Sequence, residues 1–138
     1  MLKYMLDTNI CIYTIKRKPP EVREAFNRHQ GQFCISAVTL MELIYGAEKS
    51  AYSRKNLDVV EGFVARLEVL PYDYEAAVHS GQLRAELAEK GMPIGPYDQM
   101  IAGHARSQGL ILVSDNLREF EKVPGLRIEN WVARTENP

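Results

Sequence analysis

The chain has 138 residues, enough for one domain with a true hydrophobic core. Hydrophobic residues make up 46% and charged residues 25%, the balance of an ordinary globular domain. A formal net charge of -1 and a sequence pI near 6.3 exclude a polybasic protein that holds nucleic acid through bulk charge, but not an enzyme with an acidic centre.

Lys3 to Leu6 reads as a short strand that stops at Asp7-Thr8-Asn9, a helix start. Ile10 to Ile15 carries that helix until Lys18-Pro19-Pro20 ends it. A second helix runs from the prolines to Gln30 and is closed by Gly31. Phe33 to Ile35 reads as a strand, with Ser36 capping a helix that includes Leu40, Met41, Leu43 and Ile44. Ser53 to Leu67 has helical spacing, Glu68 to Pro71 is strand-like, and Tyr74 to Lys90 is a long helix ended by Gly91. A Gly/Pro-rich loop then leads into a helix from about Tyr97 to Gln108. Leu110 to Val113 is a run of four apolar residues, as expected of a central parallel strand. The following Ser114-Asp115-Asn116 and Glu119 read as a charged loop, and a last strand is expected at Leu126 to Ile128. Strands alternating with helices predict an α/β domain over residues 1–132, with 133–138 as a polar, frayed tail.

No stretch approaches the ~18 apolar residues of a membrane span, and none has the form of a signal peptide. Cys11 and Cys34 are isolated and read as buried free thiols of a reducing cytoplasmic compartment.

The chemistry is expected in the acids. Asp7 stands at a strand end, where ligands bind in open α/β sheets, although Asp is also a good helix cap. Glu42 is flanked by Leu40, Met41, Leu43 and Ile44, which predicts a buried helix and a carboxylate that needs a partner or a cation. Asp98 opens a helix behind Gly95 and Pro96, and Asp115, Asn116 and Glu119 follow the apolar strand. Carboxylates gathered in one crevice repel unless a divalent cation neutralises them, and oxygen-only ligands suit Mg²⁺ or Mn²⁺. Such a site suits phosphodiester hydrolysis.

The MLDTN start, the Glu of LMELIYGAEKS, the stretch IGPYDQMIAGHARSQGLILVS and the NLREF segment together resemble the PIN-domain ribonucleases, specifically the VapC toxin group, from residue 1 to about Trp131. The resemblance implies a three-layer α/β/α fold, a Mg²⁺ or Mn²⁺ site and endoribonuclease activity. It also implies a VapB-type antitoxin as partner, operator DNA reached only through that antitoxin, and a homodimer. For toxins of this kind the implied substrate is the anticodon loop of initiator tRNA. The family's three acids correspond to Asp7, Glu42 and Asp98, as catalytic residues and metal ligands. At the fourth position many members have an Asp where this chain has Asn116, so Asp115, Asn116 or Glu119 completes the site. Alternation along the outgoing strand lets only one of Asp115 and Asn116 face the metal, and the resemblance puts Asn116 inward, with Glu119 reaching back as a further catalytic candidate.

His29, His79 and His104 lack metal-ligand spacing and read as surface or partly satisfied residues. Lys16-Arg17-Lys18 complements a helix C-terminus and is a candidate RNA contact. Tyr4, Tyr13, Tyr45 and Tyr97 are candidates for base stacking or for the core, and Trp131 for packing at the sheet edge. Two other functions compete. A phosphotransfer domain of the haloacid-dehalogenase type wants D-x-D after the first strand, but this chain has Asp7-Thr8-Asn9. A catalytically dead PIN-like binding module would have no reason to keep Asp7, Glu42 and Asp98 together.

Overall fold

In the computed structural model, which describes residues 1–132, five short strands form one parallel sheet. They are β1 (Tyr4–Leu6), β2 (Phe33–Ser36), β3 (Glu68–Leu70), β4 (Ile111–Val113) and β5 (Ile128–Glu129). Their order across the sheet is β3-β2-β1-β4-β5, so the chain builds outward from β1 in both directions. That places a topological switch between β1 and β4, whose carboxyl ends carry Asp7 and Ser114. The tail predicted at 133–138 lies outside the described residues.

Alternation along the strands divides the core into two layers. Tyr4 and Leu6 of β1, Phe33 and Ile35 of β2 and Val113 of β4 face one side. There they meet α1 (Thr8–Lys16), α2 (Pro20–Arg28), α3 (Ala37–Glu48) and α4 (Ser53–Val64). Met5, Cys34 and Leu112 face the other side, against α5 (Tyr74–Glu89), α6 (Pro96–Ser107) and α7 (Leu117–Phe120). The expected three-layer α/β/α architecture is the one observed. Both cysteines are free and buried.

Three local expectations need correction. The helix carrying Glu42 is not buried all round: Met41, Ile44 and Tyr45 are 41%, 39% and 61% exposed. From Met41 onward only Leu43 and Ala47 of α3 are buried in the core, leaving an apolar face open to solvent. The segment after β4 is a short helix, α7, and not a loop. The last strand lies one to two residues later than expected, because Ile128 and Glu129 are the residues that find Leu112 and Val113.

Helices α5 and α6 approach very closely, and Gly103 is the reason. A Cβ there would come within 2.6 Å of the Ser80 backbone, which cannot swing away as a side-chain tip would. Since α6 carries Asp98, this close approach also fixes the height of that carboxylate. Gly103→Ala is therefore expected to destabilise by ~1–3 kcal/mol through overpacking, against the gain in helix propensity. Thermal unfolding reads this directly, and an unchanged Tm would show that the two helices separate freely.

Candidate active site

Asp7 follows β1 and caps α1, its carboxylate accepting a hydrogen bond from the Ile10 N–H at 2.9 Å. It is only 5% exposed. Burial pushes its carboxyl up to about 6, the charges of Asp115 and Glu42 adding to the effect. Hydrogen bonds from the Ser114 hydroxyl and the Ile10 N–H oppose the shift without cancelling it. A cap alone would be satisfied at the surface; this one is held among other acids.

Glu42 reaches the same region from α3. It is half-buried, and Oε1 accepts a 2.6 Å hydrogen bond from the Thr8 hydroxyl, with the Thr39 hydroxyl 3.4 Å from that of Thr8. Thr8 thus ties α1 to α3, a link that reading Asp7-Thr8-Asn9 only as a helix start does not reveal.

Asp98 lies in the first turn of α6, which Pro96 opens. Burial pushes its carboxyl up to about 7, and a hydrogen bond shared with the Glu119 carboxyl adds to the rise. The charges of Glu119, Asp7 and Glu42 act in the same direction. Glu119 is held in place by the Gly95 N–H at 3.3 Å and by the Asn116 side-chain amide at 2.8 Å.

Only one of Asp115 and Asn116 faces Asp7, but it is not the Asn116 that the resemblance placed inward. The Asn116 N–H donates to the Ser114 hydroxyl oxygen at 2.9 Å, a turn that takes the chain out of extended geometry before α7 begins. Asn116 is consequently exposed and reaches the acids only through Glu119. Asp115 is the residue that turns toward Asp7. Its Oδ2 accepts a 2.8 Å hydrogen bond from the Tyr13 hydroxyl, while Oδ1 is buried with no partner among the described residues. Sequence reasoning also passed over Tyr13 in this role, since nothing local to it points to a residue 102 positions away.

The structure therefore gathers Asp7, Glu42, Asp98 and Glu119, linked by their mutual effects on ionisation, with Asp115 beside Asp7 and Asn116 behind Glu119. No three acidic, histidine or cysteine side chains among the described residues already form a metal-holding cage. Mg²⁺ does not need one, because it is usually bound by one or two carboxylates and otherwise by water and substrate phosphate. The donors are all oxygens, two carboxyls are strained toward protonation, and one buried carboxylate oxygen is unpaired; that set fits a hard divalent cation.

The residues set aside earlier fall elsewhere. His104 is fully buried and not a surface residue, with Nδ1 2.7 Å from the Ser36 hydroxyl that caps α3. His29 stacks on Trp131, which also meets the edge of Tyr4. Tyr4 belongs to the core, whereas Tyr45 and Tyr97 are exposed. No helix among the described residues is long and apolar enough to cross a membrane.

Comparison with known proteins agrees with this geometry. The PIN domain model matches residues 4–126. The tRNA(fMet)-specific endonucleases VapC of Salmonella typhimurium and Shigella flexneri are 67% and 69% identical to this chain, each over 95% of it and 99% of their own length. The fold superposes on a DNA-bound VapBC structure from Salmonella typhimurium with a TM-score of 0.92, at 67% identity, covering 96% of this chain and all of that one. The chain belongs to the PIN-domain family, within its VapC group of ribonucleases.

Proposed function

We propose that this chain is the toxin of a cytoplasmic toxin–antitoxin pair and cuts initiator tRNA in its anticodon loop with the help of Mg²⁺ or Mn²⁺. The observation that carries the reading is the approach of Asp7, Glu42 and Asp98 to one another near the carboxyl ends of β1 and β4, where burial and mutual repulsion raise two of their carboxyls. The names of the relatives support the substrate.

Asp7, Asp98 and Glu42 would hold the cation, which when bound orients the phosphate and lowers the pKa of an attacking water. Thr8 keeps Glu42 aimed at the crevice, and Ser114 does the same for Asp7. Burial and the hydrogen bond with Glu119 raise the Asp98 carboxyl, and a cation held there would favour its charged form. Asp115 supplies the fourth acid, its unpaired Oδ1 being available beside Asp7, while Asn116 acts by holding Glu119.

A looped single strand suits this site better than duplex RNA. A near-neutral protein lacks the charge to grip long duplex, whereas splayed bases can enter a crevice flanked by the exposed Tyr45 and Tyr97. Incubation with total tRNA and Mg²⁺, followed by sequencing of RNA ends, should show initiator tRNA cut and elongator species largely whole. EDTA should abolish the cuts. Uniform degradation of all RNA would refute the specificity, and cleavage undiminished by EDTA would refute the metal.

The antitoxin reading rests on the open apolar face of α3. Met41, Ile44 and Tyr45 are exposed beside an acidic crevice, a surface made for an amphipathic segment that presents a basic side chain to the carboxylates.

A further inference from the structure

An apolar trough begins at the active site and runs along α1 and α4. Its first part, about 350 Å³, is walled by Ile12, Ile15, Leu43, Val59 and Val60, with Glu42 and Lys16 among its polar lining. Ile15 and Val59 also wall a second cavity of about 230 Å³, which adjoins the first. The character of the second cavity differs. Arg17, Arg23 and Arg66 surround it, and no acidic residue lines it.

The Arg23 and Arg66 guanidinium groups are positioned by something other than an acid. Arg23 donates to the Thr14 carbonyl at 3.1 Å, near the end of α1. Arg66 lies over the Phe26 ring and donates to the Asn27 side chain. Arg17 sits in the left-handed region at φ 61, at the cap of α1. The one ion pair among the described residues joins Arg106 to Glu86, so none of the three has an acidic partner within 4.0 Å there. The acids nearest in sequence on α2, Glu21 and Glu24, line a different cavity with His29 and Trp131. Burial lowers the Arg23 pKa first, and the charges of Arg17 and Arg66 lower it further, so the three cations feel one another.

Like charges brought together without a counter-ion cost stability, and a ligand that carries the opposite charge recovers that cost. RNA phosphate is one such ligand. The apolar walls of the trough, however, match a peptide better than a ribose-phosphate backbone, and α1 leads away from the catalytic carboxylates. We infer that the pocket formed by Arg17, Arg23 and Arg66 anchors an acidic side chain of the antitoxin, whose segment lies along the α1–α4 trough with its basic end at the catalytic acids. The inference rests on the toxin–antitoxin reading above. The nine residues of α1 span about 14 Å, so a helical partner segment would place its acid roughly nine residues from its base.

The charge pattern has a consequence for specificity. A segment with one end basic and the other acidic enters the trough in one direction only, because the reverse orientation sets carboxylate against carboxylate and guanidinium against base.

The test uses the full chain and its cognate VapB-type antitoxin. Arg23→Gln removes one charge while keeping a donor for the Thr14 carbonyl, and Arg66→Met keeps the stem that covers Phe26 while removing another. The doubly substituted protein should bind the antitoxin at least about tenfold more weakly in roughly 50 mM salt, with a shallower dependence of affinity on salt. Its cleavage of tRNA, measured without antitoxin, should keep the KM and kcat of the parent. A parallel antitoxin variant lacking the acid at that end should lose the same factor, with no further loss when the two are combined. Unchanged affinity in the doubly substituted protein would overturn the anchor. So would a raised KM for tRNA with undiminished inhibition, which would make the pocket a phosphate site. A chain with no antitoxin at all would instead sink the toxin–antitoxin reading from which the anchor follows.

Discussion

Asp7→Asn should abolish RNA cleavage and, in metal-free protein at neutral pH, raise thermal stability. The loss of activity should be on the order of 10²–10³-fold or more, because the proposed cation and the developing transition state would both lose a charge. The gain in stability follows from the same carboxyl. Asp7 is 5% exposed and its carboxyl is raised from 3.8 to about 6, so at about pH 7.5 the native state holds a charge that the unfolded chain would solvate far better. Between those two values the folded protein binds more protons than the unfolded one, so stability falls as pH rises through the window. Asp98, raised to about 7, extends the fall to neutral pH. Asn in place of Asp7 keeps the capping oxygen for the Ile10 N–H and removes the buried charge, a gain of up to about 3 kcal/mol. The advantage should disappear near pH 4, where the folded wild-type protein already holds Asp7 protonated. Mg²⁺ should restore wild-type stability at about pH 7.5 and leave the variant unmoved. Differential scanning calorimetry at about pH 4 and pH 7.5, with and without Mg²⁺, checks every part of this. An Asp7→Asn variant less stable than wild type at the higher pH would mean that Asp7 is a structural cap and not a strained member of the site.

How much of this was legible in the sequence depended on how local each cause was. The Leu110 to Val113 run, the helix stop at Lys18-Pro19-Pro20 and the cap at Ser36 are short-range effects, and the structure has each of them. The parallel sheet followed from the alternation of strands and helices. Glu42 was recognisable as anomalous among apolar neighbours, but the reason lay elsewhere. Leu40, Met41, Leu43 and Ile44 suggest a helix enclosed by its own chain, whereas the fold leaves Met41, Ile44 and Tyr45 uncovered. Periodicity reports that a face wants covering, not whether the same chain covers it. The bond from Thr8 to Glu42 and the one from Tyr13 to Asp115 span 34 and 102 residues, and only the sheet order brings their ends together. The Arg17, Arg23 and Arg66 pocket is hidden for the same reason, since Arg66 is distant in sequence from the other two.

The segment after β4 gives the second large effect, and here structure and family pattern point to different residues. The family pattern would turn Asn116 to the site and make Asp115 dispensable. The turn closed by the Asn116 N–H on the Ser114 oxygen reverses that placement, leaving Asn116 exposed and Asp115 Oδ1 buried and unpaired beside Asp7. If Asp115 helps to neutralise the proposed cation, removing it should cost far more than removing an exposed amide that steadies its neighbour. Asp115→Asn, which preserves shape and the Tyr13 contact, should lower kcat on the order of 10²-fold or more. Asn116→Ala should cost only ~10–100-fold, the range for a group that orients a ligand from behind, and Glu119→Gln should fall with it because Asn116 acts through Glu119. The double variant Asn116→Ala, Glu119→Gln should then lose little beyond the larger single effect. Tyr13→Phe separates the carboxyl from its tether: it keeps Asp115 but frees Oδ2, and should cost less than Asp115→Asn. If Asp115→Asn cleaves initiator tRNA like wild type while Asn116→Ala is inert, Asn116 completes the site and the turn at Ser114 must open when substrate binds.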